Sequence, residues 1–359
     1  MNHEHLITKA IELNASDIHL AINARPMLRI NGILKPFEDR EILTHDVVLE
    51  GVRKLCDDEQ FEKLNTIGEI NFSFSIPEQG RFRVNIIKQR GTYSVSIRIL
   101  KLIVPSRDVL GVPDILFDLS SQSRGLIVVS GASGSGRSTT MATILQYLNE
   151  TQSFNIITVE SPIEYLFKHN QSLVVQRDVG IDCESIYDGV KSIMRHDPDV
   201  VMISDIGDEA VMELALQIAE SGKLVIAGLS SINTVTSIEA IVSSSKPERL
   251  ENRKLKLASN LLAIIAQQLV PGKQDDKRIF IYELLLSNPA IRSNIMSSGF
   301  QELRNTLVVG KKQGLVSMDT NLFSKFHSGE ITQETLYKYC QDIDYVKRLE
   351  KNAARGEFT

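Results

Sequence analysis

Gly131-Ala-Ser133-Gly134-Ser135-Gly136-Arg137-Ser138-Thr139 is the segment whose residue types and spacing point most directly to chemistry. Its three glycines let backbone N–H groups converge on an anion, and a helix starting at the end of the loop adds its positive N-terminal end. That arrangement cradles phosphates. The apolar run 126–130 reads as a strand and 139–149 as a helix, which is the context such a loop requires. Ser138 stands where the motif's hydroxyl holds Mg2+ through the nucleotide, but Arg137 stands where the motif has lysine. Guanidinium keeps the charge and is larger, planar and differently directed than an ammonium, so weak affinity is expected. A glycine-rich turn that packs with no ligand is the alternative reading, and the residues alone leave ATP binding open.

The elements that must position this loop follow from periodicity. From Ile18 to about Leu100 apolar residues recur at every second position, as in Phe72, Phe74 and Ile76, then Phe82, Val84 and Ile86, then Val95, Ile97 and Ile99. Such alternation describes half-buried antiparallel strands. Asn31-Gly32 supplies a tight hairpin turn, and 45–64 has the spacing of one helix lying on the sheet. Pro105 and Pro113 bracket a polar linker. Beyond it short apolar strands at 126–130, 155–160, 200–204 and 224–227 alternate with helices such as 209–221, the pattern of a parallel α/β sheet. A last strand at 278–286 precedes helical segments at 290–297, 303–313, 318–328 and 333–349.

Bulk properties exclude several classes. Forty Lys and Arg against forty-five Asp and Glu give a net charge of −5, which argues against a nucleic-acid partner held on a broad basic surface. No apolar run approaches the roughly 18 residues of a membrane span, so any membrane association is expected to run through a partner. The N-terminus lacks the basic and apolar regions of a secretory signal, which predicts a cytoplasmic location. Cys56, Cys183 and Cys340 are far apart and read as reduced thiols rather than zinc ligands. His3 and His5 are expected to be solvated.

In order and spacing, the chain resembles the PilT/PilU family of type IV pilus retraction ATPases. The segments that carry the resemblance are Ala15-Ser-Asp-Ile-His-Leu20, Arg81-Phe-Arg-Val-Asn85, the glycine-rich loop, Ile157-Thr-Val-Glu-Ser-Pro-Ile-Glu164, Gln176-Arg-Asp-Val-Gly180, Asp197-Pro-Asp-Val-Val-Met-Ile-Ser-Asp205, Ala219-Glu-Ser-Gly-Lys-Leu-Val225 and Ala290-Ile-Arg292. Ala266-Gln-Gln-Leu-Val-Pro271 and Ser328-Gly-Glu-Ile331 look more like the PilU branch. The resemblance implies an α/β chain with a PAS-like N-terminal α+β domain (1–104), a linker (105–115), a RecA-like P-loop ATPase domain (116–287), a helical C-terminal region (288–350) and a polar tail (351–359). It also implies ATP with Mg2+ as the ligand, bound between the two domains, and a hexameric ring. The ring would be homomeric or would assemble with an active PilT-type ATPase, at the inner-membrane platform of the pilus machine, on the cytoplasmic side. Arg81, Arg83 and Arg98 would then reach phosphates, or else be exposed strand charges.

Several family positions are replaced. Glu160, implicated in activating water, and Glu164 remain, but Ser161 stands for an aspartate. Where the family ends an apolar strand with Gly-Glu and follows with Arg, this chain has Ser204-Asp205 and Gly207. Two histidines of the family are Lys223 and Ser230 here, which removes phosphate sensing through imidazole and leaves Lys223 as an alternative cation. With Arg137, these changes are expected to lie together in one weakened or inactive ATPase site. The functional reading is a PilU-like motor subunit or accessory. A structural or regulatory pseudo-ATPase is the second reading. An assembly or type II secretion ATPase is the third, disfavoured by the lack of a four-cysteine insertion.

Overall fold

Two compact units divide the chain: Met1–Ile103 with Glu164–Leu166, and Val104–Ile163 with Phe167–Thr359. The computed structural model describes residues 3–30, 32–38, 41–76, 79–100, 103–274 and 277–355. Asn31 of the expected hairpin turn lies outside the described residues; its neighbour Gly32 has the positive φ, +82°, that such a turn needs.

In the first unit the alternating segments form β1 (Ala15–Leu20), β2 (Met27–Ile30), β3 (Ile33–Pro36), β4 (Glu69–Ile76), β5 (Gly80–Gln89) and β6 (Thr92–Leu100). They pair antiparallel in the order β3-β2-β1-β6-β5-β4, the sheet of a PAS-like α+β domain. One face buries Ile18, Leu28, Phe82, Val84, Ile86 and Ile97 against helix residues Leu6, Ile7, Val48, Val52 and Leu64. Two helices, His45–Leu55 and Asp58–Ile67, replace the single one expected over 45–64. The break is a capping box: Asp57 accepts from the Gln60 N–H at 2.8 Å while the Gln60 side chain accepts from the Asp57 N–H at 3.1 Å.

The second unit is RecA-like. Its strands are β7 (Gly125–Ser130), β8 (Asn155–Glu160), β9 (Leu173–Asp178), β10 (Val200–Ile203), β11 (Leu224–Leu229), β12 (Leu261–Pro271) and β13 (Arg278–Leu286), in the order β13-β12-β7-β11-β10-β8-β9. All neighbours run parallel except β12 and β13. Leu126, Ile127, Val128 and Val129 are buried on both faces, as in a sheet covered by helices on each side. The helical end also differs from the sequence expectation. Residues 333–349 form two helices, Gln333–Tyr339 and Ile343–Ala354, because Asp342 caps the second on the Tyr345 N–H at 2.9 Å. The start of the expected polar tail, 351–354, therefore belongs to a helix. No helix among the described residues is long and apolar enough to cross a membrane.

Buried polar contacts fix this scaffold. Glu283 on β13 accepts from the Thr234 N–H at 2.8 Å and hydroxyl at 2.7 Å through one oxygen, and from the Met318 N–H at 3.2 Å through the other. It thereby holds the first turns of helices Thr234–Ser243 and Met318–His327. Elsewhere Arg253, 1% exposed, meets Glu213 at 3.0 Å, and Lys256 meets the same carboxylate at 2.8 Å. Burial would raise the Glu213 carboxyl, but the Lys256 hydrogen bond and the charges of Lys256 and Arg253 outweigh it and hold the group below its ordinary value.

Glu283→Ala is expected to lower stability by about 2–3 kcal/mol in chemical denaturation, since two buried N–H groups lose a charged acceptor. Because the Glu213 pKa is depressed on folding, its contribution is complete above the ordinary carboxylate range and is lost as pH falls through the lower, folded value. Glu213→Gln should therefore lower stability at neutral pH and flatten the acid limb of a stability-against-pH curve.

Candidate functional site

Ser130, the last residue of β7, is buried and its hydroxyl accepts from Ser237 Oγ at 3.0 Å, which pins the strand end from which the glycine-rich loop departs. Gly131 must be glycine: a Cβ there would come within 2.5 Å of the Gln267 carbonyl oxygen on β12. Gln267 also donates its side-chain N–H to the Ser135 carbonyl at 2.8 Å, so β12 walls the loop on one side. Gly134 and Gly136 take positive φ of +79° and +94°, and Gly136 caps the fifteen-residue helix Arg137–Thr151 without any side-chain cap. Ser133 and Gly134 are exposed at the loop tip, whereas Ser135 Oγ and Gln267 Oε1 are buried polar atoms with no hydrogen-bond partner among the described residues. A loop of positive-φ glycines, an uncapped helix start and an orphaned hydroxyl fit a phosphate chain.

The strand order brings β7, β11, β10 and β8 side by side, with their C-terminal ends on the edge that carries the loop. Arg137 begins the loop helix, Ser230 follows β11, Asp205 lies just beyond β10 and Glu160 ends β8. Arg137 Nη1 donates to Ser230 Oγ at 2.9 Å and lies 3.5 Å from Asp205 Oδ2. Ser230 Oγ donates to that same carboxylate oxygen at 3.3 Å, and the Gly207 N–H donates to the other, Oδ1, at 2.7 Å. Ser161 and Ser204 are joined too, the Ser161 N–H donating to Ser204 Oγ at 3.1 Å. The buried Glu160 accepts from Thr158 Oγ1 at 2.6 Å and Gln176 Nε2 at 2.9 Å.

Not every residue expected at the site is brought there. Lys223 precedes β11 and Ser230 follows it, so the two stand at opposite ends of a six-residue strand, about 23 Å apart at roughly 3.3 Å per residue. Lys223 instead pairs with Asp197 at 3.2 Å. The expectation that the replaced positions lie together therefore holds for 137, 205, 207 and 230 and is corrected for 223. Glu164 belongs to the first unit, as do Arg81, Arg83 and Arg98. There Arg83 and Arg98 are direct cross-strand neighbours on the polar face of the sheet, and Arg98 pairs with Asp17 at 2.9 Å. Gln267 and Gln176 support the loop and Glu160, although neither stood among the expected site residues. Their signal lay in the motifs Ala266-Gln-Gln and Gln176-Arg-Asp, which mark positions without revealing contacts.

Comparison with known proteins agrees with this architecture. A family model described as type II/IV secretion system protein matches residues 2–335. The chain is 32% identical to the type IV pilus ATPase PilU of Pseudomonas aeruginosa, over 99% of this chain and 93% of that one. It is 30% identical to the retraction ATPase PilT of the same species, over 92% and 95%. Among solved structures, a pilus retraction motor PilT with bound ADP superposes with a TM-score of 0.89 at 36% identity, covering 96% of this chain and 98% of that one. The chain belongs to the type II/IV secretion system protein family and, within it, to the type IV pilus retraction ATPases of the PilT/PilU group.

Proposed function

We propose that this chain is a PilU-like subunit or accessory of the type IV pilus retraction machine whose own ATP hydrolysis is weakened or lost. The observation that carries the reading is the engagement of Arg137 with Asp205 and Ser230, 3.5 and 2.9 Å away. Hydrolysis at such a site asks for a carboxylate positioned beside the terminal phosphate, and in this chain that carboxylate is already committed. Asp205 is also one methylene shorter than the glutamate of the family pattern, and a displacement of about 1 Å can cost on the order of a hundredfold in rate. Glu160 keeps its place at the end of β8 with two donors that orient it, so one catalytic group is retained without its partners.

The nucleotide is read as ATP or ADP, held by Gly131, Ser133, Gly134, Ser135, Gly136, Arg137, Ser138 and Thr139. When bound it supplies the phosphoanhydride whose hydrolysis drives the family's motors. Arg81, Arg83 and Arg98 are read as phosphate-contacting groups; they share a sheet face, and Arg81 Nε is buried without a hydrogen-bond partner among the described residues. A hexameric ring, alone or with an active PilT-type ATPase, at a membrane platform and on the cytoplasmic side, completes the reading. A purely structural or regulatory pseudo-ATPase is the second reading, favoured by the same closed carboxylate.

Purified protein is expected to turn over ATP at least about a hundredfold more slowly than an active PilT-type motor, with restoration of Asp205→Glu alone recovering little because the site's residues act as a unit. Joint restoration at positions 137, 205, 207 and 230 is the stricter comparison. Robust turnover by the unmodified chain, abolished by Glu160→Ala, would overturn the reading. In titration calorimetry with Mg2+, Arg137→Lys should bind ATP more tightly than the wild type by about tenfold, because an ammonium fits a tight phosphate loop better than a planar guanidinium. Equal affinities would remove the role assigned to the arginine.

A further inference from the structure

Arg137, Asp205 and Ser230 are all departures from the family pattern, and they form one bonded group. Each change makes room for the others. Ser230 puts a small hydroxyl, rather than an imidazole, next to the guanidinium, and Asp205 ends one methylene short of a glutamate. The outcome is a carboxylate with a fixed monovalent cation 3.5 Å from one oxygen and a backbone N–H on the other at 2.7 Å.

A resident Mg2+ does not fit this group. The ion demands near-ideal octahedral geometry and keeps several waters, which must find acceptors on nearby carboxylates. Here each Asp205 oxygen already accepts one hydrogen bond, and the Arg137 guanidinium, 3.5 Å from Oδ2, is a like charge beside the carboxylate that the metal's waters would need. A phosphate chain, in contrast, does fit. Arg137 uses Nη1 for Ser230 and Asp205, while its Nε and Nη2 hydrogens are not used by those bonds. Guanidinium presents five donors in a planar fork that matches phosphate oxygens.

We propose that this loop binds the polyphosphate of a nucleoside di- or triphosphate without Mg2+, the Arg137 guanidinium serving as the counter-cation that the metal provides elsewhere in the family. The proposal rests on the reading that the loop holds a nucleotide. It makes Arg137 the residue that renders the metal dispensable for binding, and it accounts for Asp205 and Ser230 as its anchors.

Titration calorimetry of the full-length protein with ADP and with ATP, each in excess Mg2+ and in EDTA, tests it. Wild-type dissociation constants should agree between the two media within about threefold, since the cation that offsets the phosphate charge is part of the chain. The variant Arg137→Lys/Asp205→Glu/Ser230→His, checked for an intact fold by circular dichroism, should bind more tightly in Mg2+ than in EDTA by about tenfold or more. Wild-type binding that requires Mg2+ by that margin overturns the proposal and leaves the nucleotide reading standing. Absence of binding in either medium overturns both. A folded variant that stays indifferent to the metal shows that the Arg137 group is not the cause, which also overturns the assignment. Should the variant fail to fold, the wild-type comparison decides alone.

Discussion

The contact between the Arg137 guanidinium and the Asp205 carboxylate ties together the edge of the RecA-like sheet that carries the glycine-rich loop, because each group sits on a different element. Arg137 belongs to the start of the loop helix and Asp205 to the segment beyond β10, so the pair bridges two strand ends across β11, and Ser230, the residue after β11, contributes the hydroxyl between them. Pairing of this kind adds little on an exposed surface, but Arg137 is only 18% exposed, and a partly buried charge left alone is costly. Arg137, Asp205 and Ser230 thus form one bonded network rather than three independent side chains. Ser161 and Ser204 are joined on a smaller scale, the Ser161 N–H donating to Ser204 Oγ.

What surrounds this network is conventional for the fold. The loop glycines adopt the positive φ values that a phosphate cradle needs, the strands beneath are apolar on both faces, and Gln267 and Ser237 secure the loop from β12 and from helix Thr234–Ser243. A chain can keep such a scaffold while changing the charges at its rim, because folding draws chiefly on buried area and backbone pairing, whereas chemistry depends on a handful of atoms at the strand ends.

Much of this was legible from residues alone. Period-two alternation marked β4, β5 and β6, the run before Gly131 marked β7, and the glycines marked the loop. Contacts across distance were not legible. Lys223 and Ser230 are near in sequence and belong to one motif, yet a strand separates neighbours faster than any other element, and no local pattern says which end of it faces the ligand. β12 was missed because Leu261-Leu-Ala-Ile-Ile-Ala-Gln-Gln-Leu-Val-Pro271 lacks alternation and follows a helix directly, so a buried strand and a buried helix read alike. Asp57 and Asp342 broke two expected helices by capping new ones, a signal present in the sequence but hidden inside an otherwise continuous apolar period.

Glu283 carries a mechanical implication. One carboxylate holds both the helix that follows Ser230 and the helix Met318–His327 of the C-terminal region, through separate oxygens. Displacing either helix start means giving up a hydrogen bond to a buried charge, so the two behave as parts hinged on a common pin. The start of the helix beside the site and the start of a helix in the C-terminal region are therefore tied to one buried charge.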